Sequence, residues 1–178
     1  MKVKAVVFDL GKVLVDFDYG IAARKLAEKS VVAADEVRAL IDQSPLLFRY
    51  ERAGMTTQEF FQEVRQSIGY KGTFAEFAAA FADIFTEIPE MTRWHDDIRE
   101  RGLPTFILSN TNEIAITHVR KNFPFFARFT DYVFSYEQGV LKPEPRIYEI
   151  ASRRCFSRNQ LRKASSTGSR GINSCQET

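Results

Sequence analysis

Lys4-Ala5-Val6-Val7-Phe8-Asp9-Leu10-Gly11-Lys12-Val13-Leu14 is the stretch that decides how the rest of the chain is read. Ala5 to Phe8 is an unbroken apolar run, too short for a helix and closed by Asp9 and Gly11. That is the pattern of a strand buried on both faces and ending in a loop. Asp9 therefore stands at the carboxyl end of a strand, the side on which open α/β sheets bind their ligands.

Two later segments repeat the pattern. Thr105-Phe106-Ile107-Leu108 is a buried strand closed by Ser109-Asn110, and Tyr132-Val133-Phe134 is a third, followed by a turn at Gly139. Between them lie helical patterns, from about Met91 to Arg101 with a stop at Gly102, and around Ile114, Ile116 and Val119. A further helix opens near Pro143 and Pro145, which are tolerated in a first turn. Strands alternating with helices predict an α/β fold with a parallel sheet and crossover helices.

Residues 17–88 read differently. After Asp16 and Asp18 the period turns helical, with Ile21, Leu26, Val37, Leu40 and Ile41 at three- and four-residue spacings. Thr56 with Glu59 and Thr73 with Glu76 are capping boxes that start two helices. The first carries Phe60, Phe61, Val64 and Ile68 to a stop at Gly69, and the second carries Phe74, Phe77, Phe81 and Ile84 toward Pro89. Residues 17–88 are expected to be a helical bundle, with the Phe stripe as its core. His95 and His118 are expected at the surface or half-buried, Trp94 as a packing residue, and Asp96-Asp97 on a solvated helix face.

The chain has 178 residues, 44% of them hydrophobic and 27% charged, enough for one compact α/β core with a modest insert. No run of about 18 apolar residues is available to span a bilayer, so a cytoplasmic protein with no membrane partner is expected. Cys155 and Cys175 are too few for a zinc site or a disulfide framework. The net charge of +2 is unevenly placed: from Ser152 onward six basic residues meet only Glu177, leaving +5 there and −3 on residues 1–151. This basic, Ser/Arg-rich segment, 152–178, is expected to be irregular. It lacks the aromatic residues that stack on bases, so nucleic acid is not the expected partner.

A carboxylate at position 9, a hydroxyl with neighbouring backbone N–H groups at Ser109-Asn110, and the ammonium of Lys142 converge on one sheet edge. Together they suit a phosphoryl group: the carboxylate attacks, the hydroxyl and N–H groups bind oxygens, and the ammonium offsets charge.

Val6 to Leu14, Ile107-Leu108-Ser109-Asn110-Thr111 and Leu141-Lys142-Pro143-Glu144-Pro145-Arg146-Ile147-Tyr148 resemble, in order and separation, three motifs of the haloacid dehalogenase superfamily. The subgroup resembled is the sugar-phosphate phosphatase type, with a Gly in the first motif and a helical cap inserted after it; Glu51-Arg52-Ala53-Gly54 before Thr56 matches that cap. The resemblance implies a Rossmann-like core over residues 1–16 and 89–151, a cap over 17–88, and Mg²⁺-dependent hydrolysis of a small phosphorylated metabolite. It also implies Asp9 as nucleophile and metal ligand, the Gly11 carbonyl as a second metal ligand, Ser109 and Asn110 as phosphate binders, and Lys142 as the stabilising cation.

Two departures from the resembled pattern are visible. Most such phosphatases carry an acid–base Asp two residues after the nucleophile, where this chain has Gly11; Asp16 and Asp18 are the candidates to replace it. The fourth motif, a strand ending in paired acids that complete the metal site, is missing, for beyond Glu149 the only carboxylate side chain is Glu177. A frame change or truncation near residue 152 is the expected origin, with activity impaired. The alternatives are a haloacid dehalogenase, which normally has an aromatic residue at the Gly11 position, and a non-catalytic remnant.

Overall fold

The computed structural model describes residues 3–168, with side-chain surroundings through residue 157. Three short strands, β1 (Val6–Phe8), β4 (Thr105–Ser109) and β5 (Asp131–Phe134), form a parallel sheet in the order β1-β4-β5. The register pairs Phe8 with Ile107 and Ser109 with Phe134, so all three strands deliver their carboxyl ends to one edge. β4 is buried at every residue, as its continuous apolar run requires.

Alternation of side chains across the strands divides the core. Phe8, Ile107 and Phe134 pack on one face with Val119, Phe125, Phe126 and Phe129, under α6 (Pro89–Glu100) and α7 (Glu113–Asn122). Leu108 and Val133 point the other way, onto Ile147 and Ala151 of α9 (Pro145–Gly168). α9 leaves the β1 side of its face open, where Val7 is 45% exposed although it lies in a strand. Among the described residues no strand pairs with the outer edge of β1.

Between β1 and β4 the chain makes α1 (Tyr19–Ala27), α2 (Ala34–Ile41), α3 (Pro45–Glu51), α4 (Thr57–Ile68) and α5 (Phe74–Ala82). Both capping boxes form, with Thr56 and Thr73 accepting from the N–H groups of Glu59 and Glu76 and each glutamate reaching back to its threonine. Gly69 closes α4 at φ +61°, a left-handed conformation that costs glycine nothing. The Phe stripe supplies the bundle's core except for Phe74, which is exposed: Phe60, Phe61, Phe77 and Phe81 are buried and meet one another at ring distances of 5.2–6.0 Å. Phe85 packs against both this core and that of the sheet.

The helix expected to run toward Pro89 ends instead at Ala82. Phe85–Glu87 forms β3, antiparallel to β2 (Val15–Phe17), and this two-stranded ribbon carries the chain into and out of the bundle. Three-residue strands are too short to show alternation, and each finds its partner about 70 residues away along the chain.

Two further expectations are corrected. His95 is fully buried, because Thr92, His95 and Ile98 share the face of α6 that meets the sheet. Its Nε2 pairs with Thr105 Oγ1 at 3.0 Å, its ring stacks on Phe129 at 3.9 Å, and burial pushes its pKa down to about 4. His118 is half-buried, and Trp94 is half exposed and meets Phe8 edge-on. The segment from Ser152, expected to be irregular, continues α9 through Gly168, and Arg154 Nη1 donates to the Tyr132 carbonyl at 2.7 Å. Scarcity of apolar residues argues against burial but not against a helix, and Arg, Gln, Leu, Lys and Ala are good helix formers with no Gly or Pro before Gly168. Residues 169–178, with Glu177, lie outside the described residues.

Candidate active site

Asp9 follows the last residue of β1, and its Oδ1 accepts the N–H of Leu10 at 2.8 Å. The other oxygen, Oδ2, lies 2.5 Å from Lys142 Nζ, which also donates to the Leu108 carbonyl at 3.2 Å. Lys142 reaches this point from the loop between α8 (Ser135–Gln138) and α9. Asn110 clasps that loop from the end of β4: its Nδ2 donates to the Lys142 carbonyl at 3.0 Å and its Oδ1 accepts the Lys142 N–H at 2.7 Å. The structure thus brings Asp9, Asn110 and Lys142 together, with the Asn110 side chain spent on the backbone of Lys142. Ser109 is buried, and its Oγ donates to the Asn110 carbonyl at 3.2 Å.

Asp9 and Lys142 share a cavity of about 530 Å³ that runs along the open edge of β1, walled on one side by Val7 and Phe8 and on the other by Tyr148 and Phe156 of α9. Ser109 is not part of its lining. The cavity is mostly apolar, with Asp9, Lys142 and Lys4 as the charged residues in its lining. An ion pair in such surroundings is less screened than one in open water.

The loop after Asp9 is closed by the carbonyls of Leu10, which accept from Leu14 and Val15, and of Val15, which accepts from Lys12; the Gly11 carbonyl is not used in this closure. A Cβ on Gly11 would lie 2.7 Å from Phe17 Cε1, so any side chain there displaces that ring. Phe17 is in turn packed against Tyr19 and Phe85. The carboxylates proposed as replacements are engaged elsewhere. Asp18 caps α1 by accepting from Gly20 N at 2.7 Å, and Asp16 pairs with Lys12 and accepts from Phe17 N at 2.8 Å, contacts that hold its pKa below the usual carboxylate range.

Asp9 and the Gly11 carbonyl are hard oxygen donors of the kind Mg²⁺ takes, and Mg²⁺ completes its octahedron with water and substrate oxygens. Among the described residues no group of three Asp, Glu, His or Cys side chains could hold a metal ion. The fit is therefore to a site with one protein carboxylate.

One residue of chemical interest was not singled out from the sequence. Glu51, at the end of α3, is the one carboxylate among the buried residues described, 9% exposed, and burial raises its pKa to about 7 while the Asn112 side chain pulls in the opposite direction. Asn112 caps α7 three residues beyond Ser109. The available signal was position: Glu51 falls four residues after Leu47, on the inward face of α3.

Known proteins resemble this chain in sequence and in fold. The family model described as haloacid dehalogenase-like hydrolase matches residues 3–161, which extends about ten residues past the compositional break at Ser152. Acyl-CoA dehydrogenase family member 10 of Mus musculus is 27% identical over 161 residues, covering 85% of this chain but only 15% of that protein. D-ribitol-5-phosphate phosphatase of Bacteroides thetaiotaomicron is 24% identical over 156 residues, covering 83% of this chain and 75% of the enzyme. A crystal structure of a haloacid dehalogenase family enzyme from the same bacterium, in complex with magnesium and inorganic phosphate, superposes with a TM-score of 0.74 at 24% identity, covering 85% of this chain and 78% of that one.

Proposed function

Because the chain belongs to the haloacid dehalogenase-like hydrolase family, we propose that it hydrolyses a small phosphate monoester with Mg²⁺ and that Asp9 attacks the phosphorus. The observation that carries this reading is the contact of Lys142 Nζ with Asp9 Oδ2 at 2.5 Å, at the carboxyl end of a parallel strand. Lys142 holds the Asp9 carboxylate in place through this contact, and its charge stabilises the dianionic phosphoryl group as it moves onto Asp9.

In the first step an Asp9 oxygen bonds to phosphorus and the ester P–O bond breaks, leaving an aspartyl phosphate and an alkoxide that takes a proton from water. In the second, water attacks phosphorus, releasing inorganic phosphate and restoring the Asp9 carboxylate. Asp9 and the Gly11 carbonyl would hold Mg²⁺, which would supply charge that screens the carboxylate from the anionic substrate. Asn110 keeps the Lys142 backbone in place, the Asn110 N–H binds a phosphate oxygen, Ser109 does so once its hydroxyl turns from the Asn110 carbonyl, and residues 17–88 act as a cap that excludes bulk water from the core formed by 1–16 and 89–151.

The relatives support the phosphate reading. One is named for ribitol 5-phosphate hydrolysis and another binds magnesium with phosphate. Glycine at position 11 removes the usual proton donor, worth about 10²–10⁴-fold in rate, and the acidic pair is missing from the described metal site. Turnover is therefore slow, and a non-catalytic chain is the second reading that the thin donor set favours.

The test is release of phosphate from a generic aryl phosphate by the intact chain, with Mg²⁺ and with chelator, beside chloride release from a haloacid. Slow, metal-dependent phosphate release is the expected result. Chloride release, or phosphate release indifferent to chelator, contradicts the proposal, and fast turnover contradicts the impairment.

A further inference from the structure

We propose that Arg52 is a positioning residue, conveying the seating of the helical bundle to Lys142 through Glu144. The proposal rests on the reading of Lys142 as part of the active site. Arg52 caps α3, after which the chain turns sharply through Ala53, at φ +57°, with the N–H of Gly54 returning to the Arg49 carbonyl at 2.8 Å. A Cβ on Gly54 would lie 3.0 Å from that carbonyl oxygen and 2.8 Å from Arg49 Cγ, so the turn is tight where it leads into the Thr56 cap of α4.

The turn holds Arg52 over the sheet's carboxyl edge. Arg52 Nη2 donates to Glu144 Oε2 at 2.7 Å, while the other oxygen of Glu144 accepts the N–H of Leu141 at 3.0 Å. One carboxylate thus joins the bundle to the residue preceding Lys142. The next links are the Asn110 clasp on the Lys142 backbone and the contact of Lys142 Nζ with Asp9. A second tie between bundle and core, from Thr57 Oγ1 to Glu113, fixes α4 to the start of α7 without touching the Lys142 loop.

Stability alone does not explain the pair. Arg52 and Glu144 have side chains 52% and 34% exposed, and such pairs contribute little to folding. Their placement does something stability would not require: when the bundle is seated, Glu144 holds Leu141 and so fixes the approach of Lys142, and when it lifts, that restraint is lost. A contact that ties two parts of a fold together is a physical carrier of coupling between them.

Hydrogen exchange read by mass spectrometry on the whole chain tests this without any need for turnover. Arg52→Ala is expected to speed exchange at the Leu141 and Lys142 amides about three- to tenfold, leaving β4 and α6 unchanged. Arg52→Lys restores part of the protection. Added to Glu144→Ala, Arg52→Ala has no further effect. Unchanged exchange at 141 and 142 in Arg52→Ala, an equal rise throughout the chain, or full additivity with Glu144→Ala overturns the proposal. If Arg52→Ala does not fold, Arg52→Gln carries the same comparison. Absence of phosphatase activity would remove the catalytic reading while leaving this coupling measurable.

Discussion

Asp9→Asn reduces phosphate release to the uncatalysed background, a loss of at least about a thousandfold relative to the intact chain. Asparagine has the same shape and can still accept the Leu10 N–H through its oxygen, so the strand end keeps its hydrogen bond. What disappears is the charge. A neutral amide is no nucleophile toward phosphorus, it cannot pair with the Lys142 ammonium that lies 2.5 Å from Oδ2 in the native site, and it is a poorer Mg²⁺ ligand. The Asp9 side chain is 40% exposed, so the substitution leaves folding nearly unaffected and the loss is one of chemistry. Single-turnover phosphate release, with circular dichroism to show that the variant folds, is the measurement. Residual release above background in this variant would mean that another group attacks.

Glu51→Gln stabilises the protein by about 3 kcal/mol at about pH 8 and by much less at about pH 4. The sign follows from burial. The folded-state pKa of Glu51 is raised to about 7 from an ordinary value of 4.5, so the folded chain holds a proton that the unfolded chain gives up. Stability is undiminished below the unfolded pKa, falls as pH rises from about 4.5 to 7, and remains reduced above that. Glutamine carries no charge to desolvate, so the pH-dependent part vanishes. Urea unfolding at the two pH values reads the difference directly. An equal effect at both would show that the carboxylate is not held in a poorly solvated place.

The strands were legible because each is a short apolar run with a polar stop, and both capping boxes because they are local and chemically specific. The same locality placed Asp9 and the Ser109-Asn110 pair at strand ends and put Lys142 after the third strand. What escaped reading depends on contacts between distant residues. The β2–β3 ribbon pairs Val15 with Glu87, and neither three-residue strand carries a pattern of its own. His95 looked like an ordinary helical residue until the face of α6 that meets β4 was known, and Glu51 is buried by the meeting of bundle and core. The orientation of Asn110 was also beyond spacing arguments, since its side chain serves the backbone 32 residues later. Residues 152–168 are helical although poor in apolar side chains, because low apolar content argues against burial but not against helical propensity, and Arg154 ties the helix to the Tyr132 carbonyl.

Gly11 joins local packing to chemistry. The Phe17 ring fills the space where a side chain would stand, so this loop excludes the usual proton donor sterically as well as lacking it in sequence. A residue introduced at that position would have to move Phe17, which also contacts Phe85 at the root of the bundle. A side chain at position 11 would therefore disturb the packing where the chain enters the bundle.

The most direct measurement is acid-quenched mass spectrometry of the intact chain mixed with Mg²⁺ and an aryl phosphate. One phosphoryl group on the peptide that contains Asp9, removable by hydroxylamine and absent from the Asp9→Asn variant, is the predicted result. Phosphate release that proceeds with no label on that peptide, or with the label on a different residue, would contradict the account.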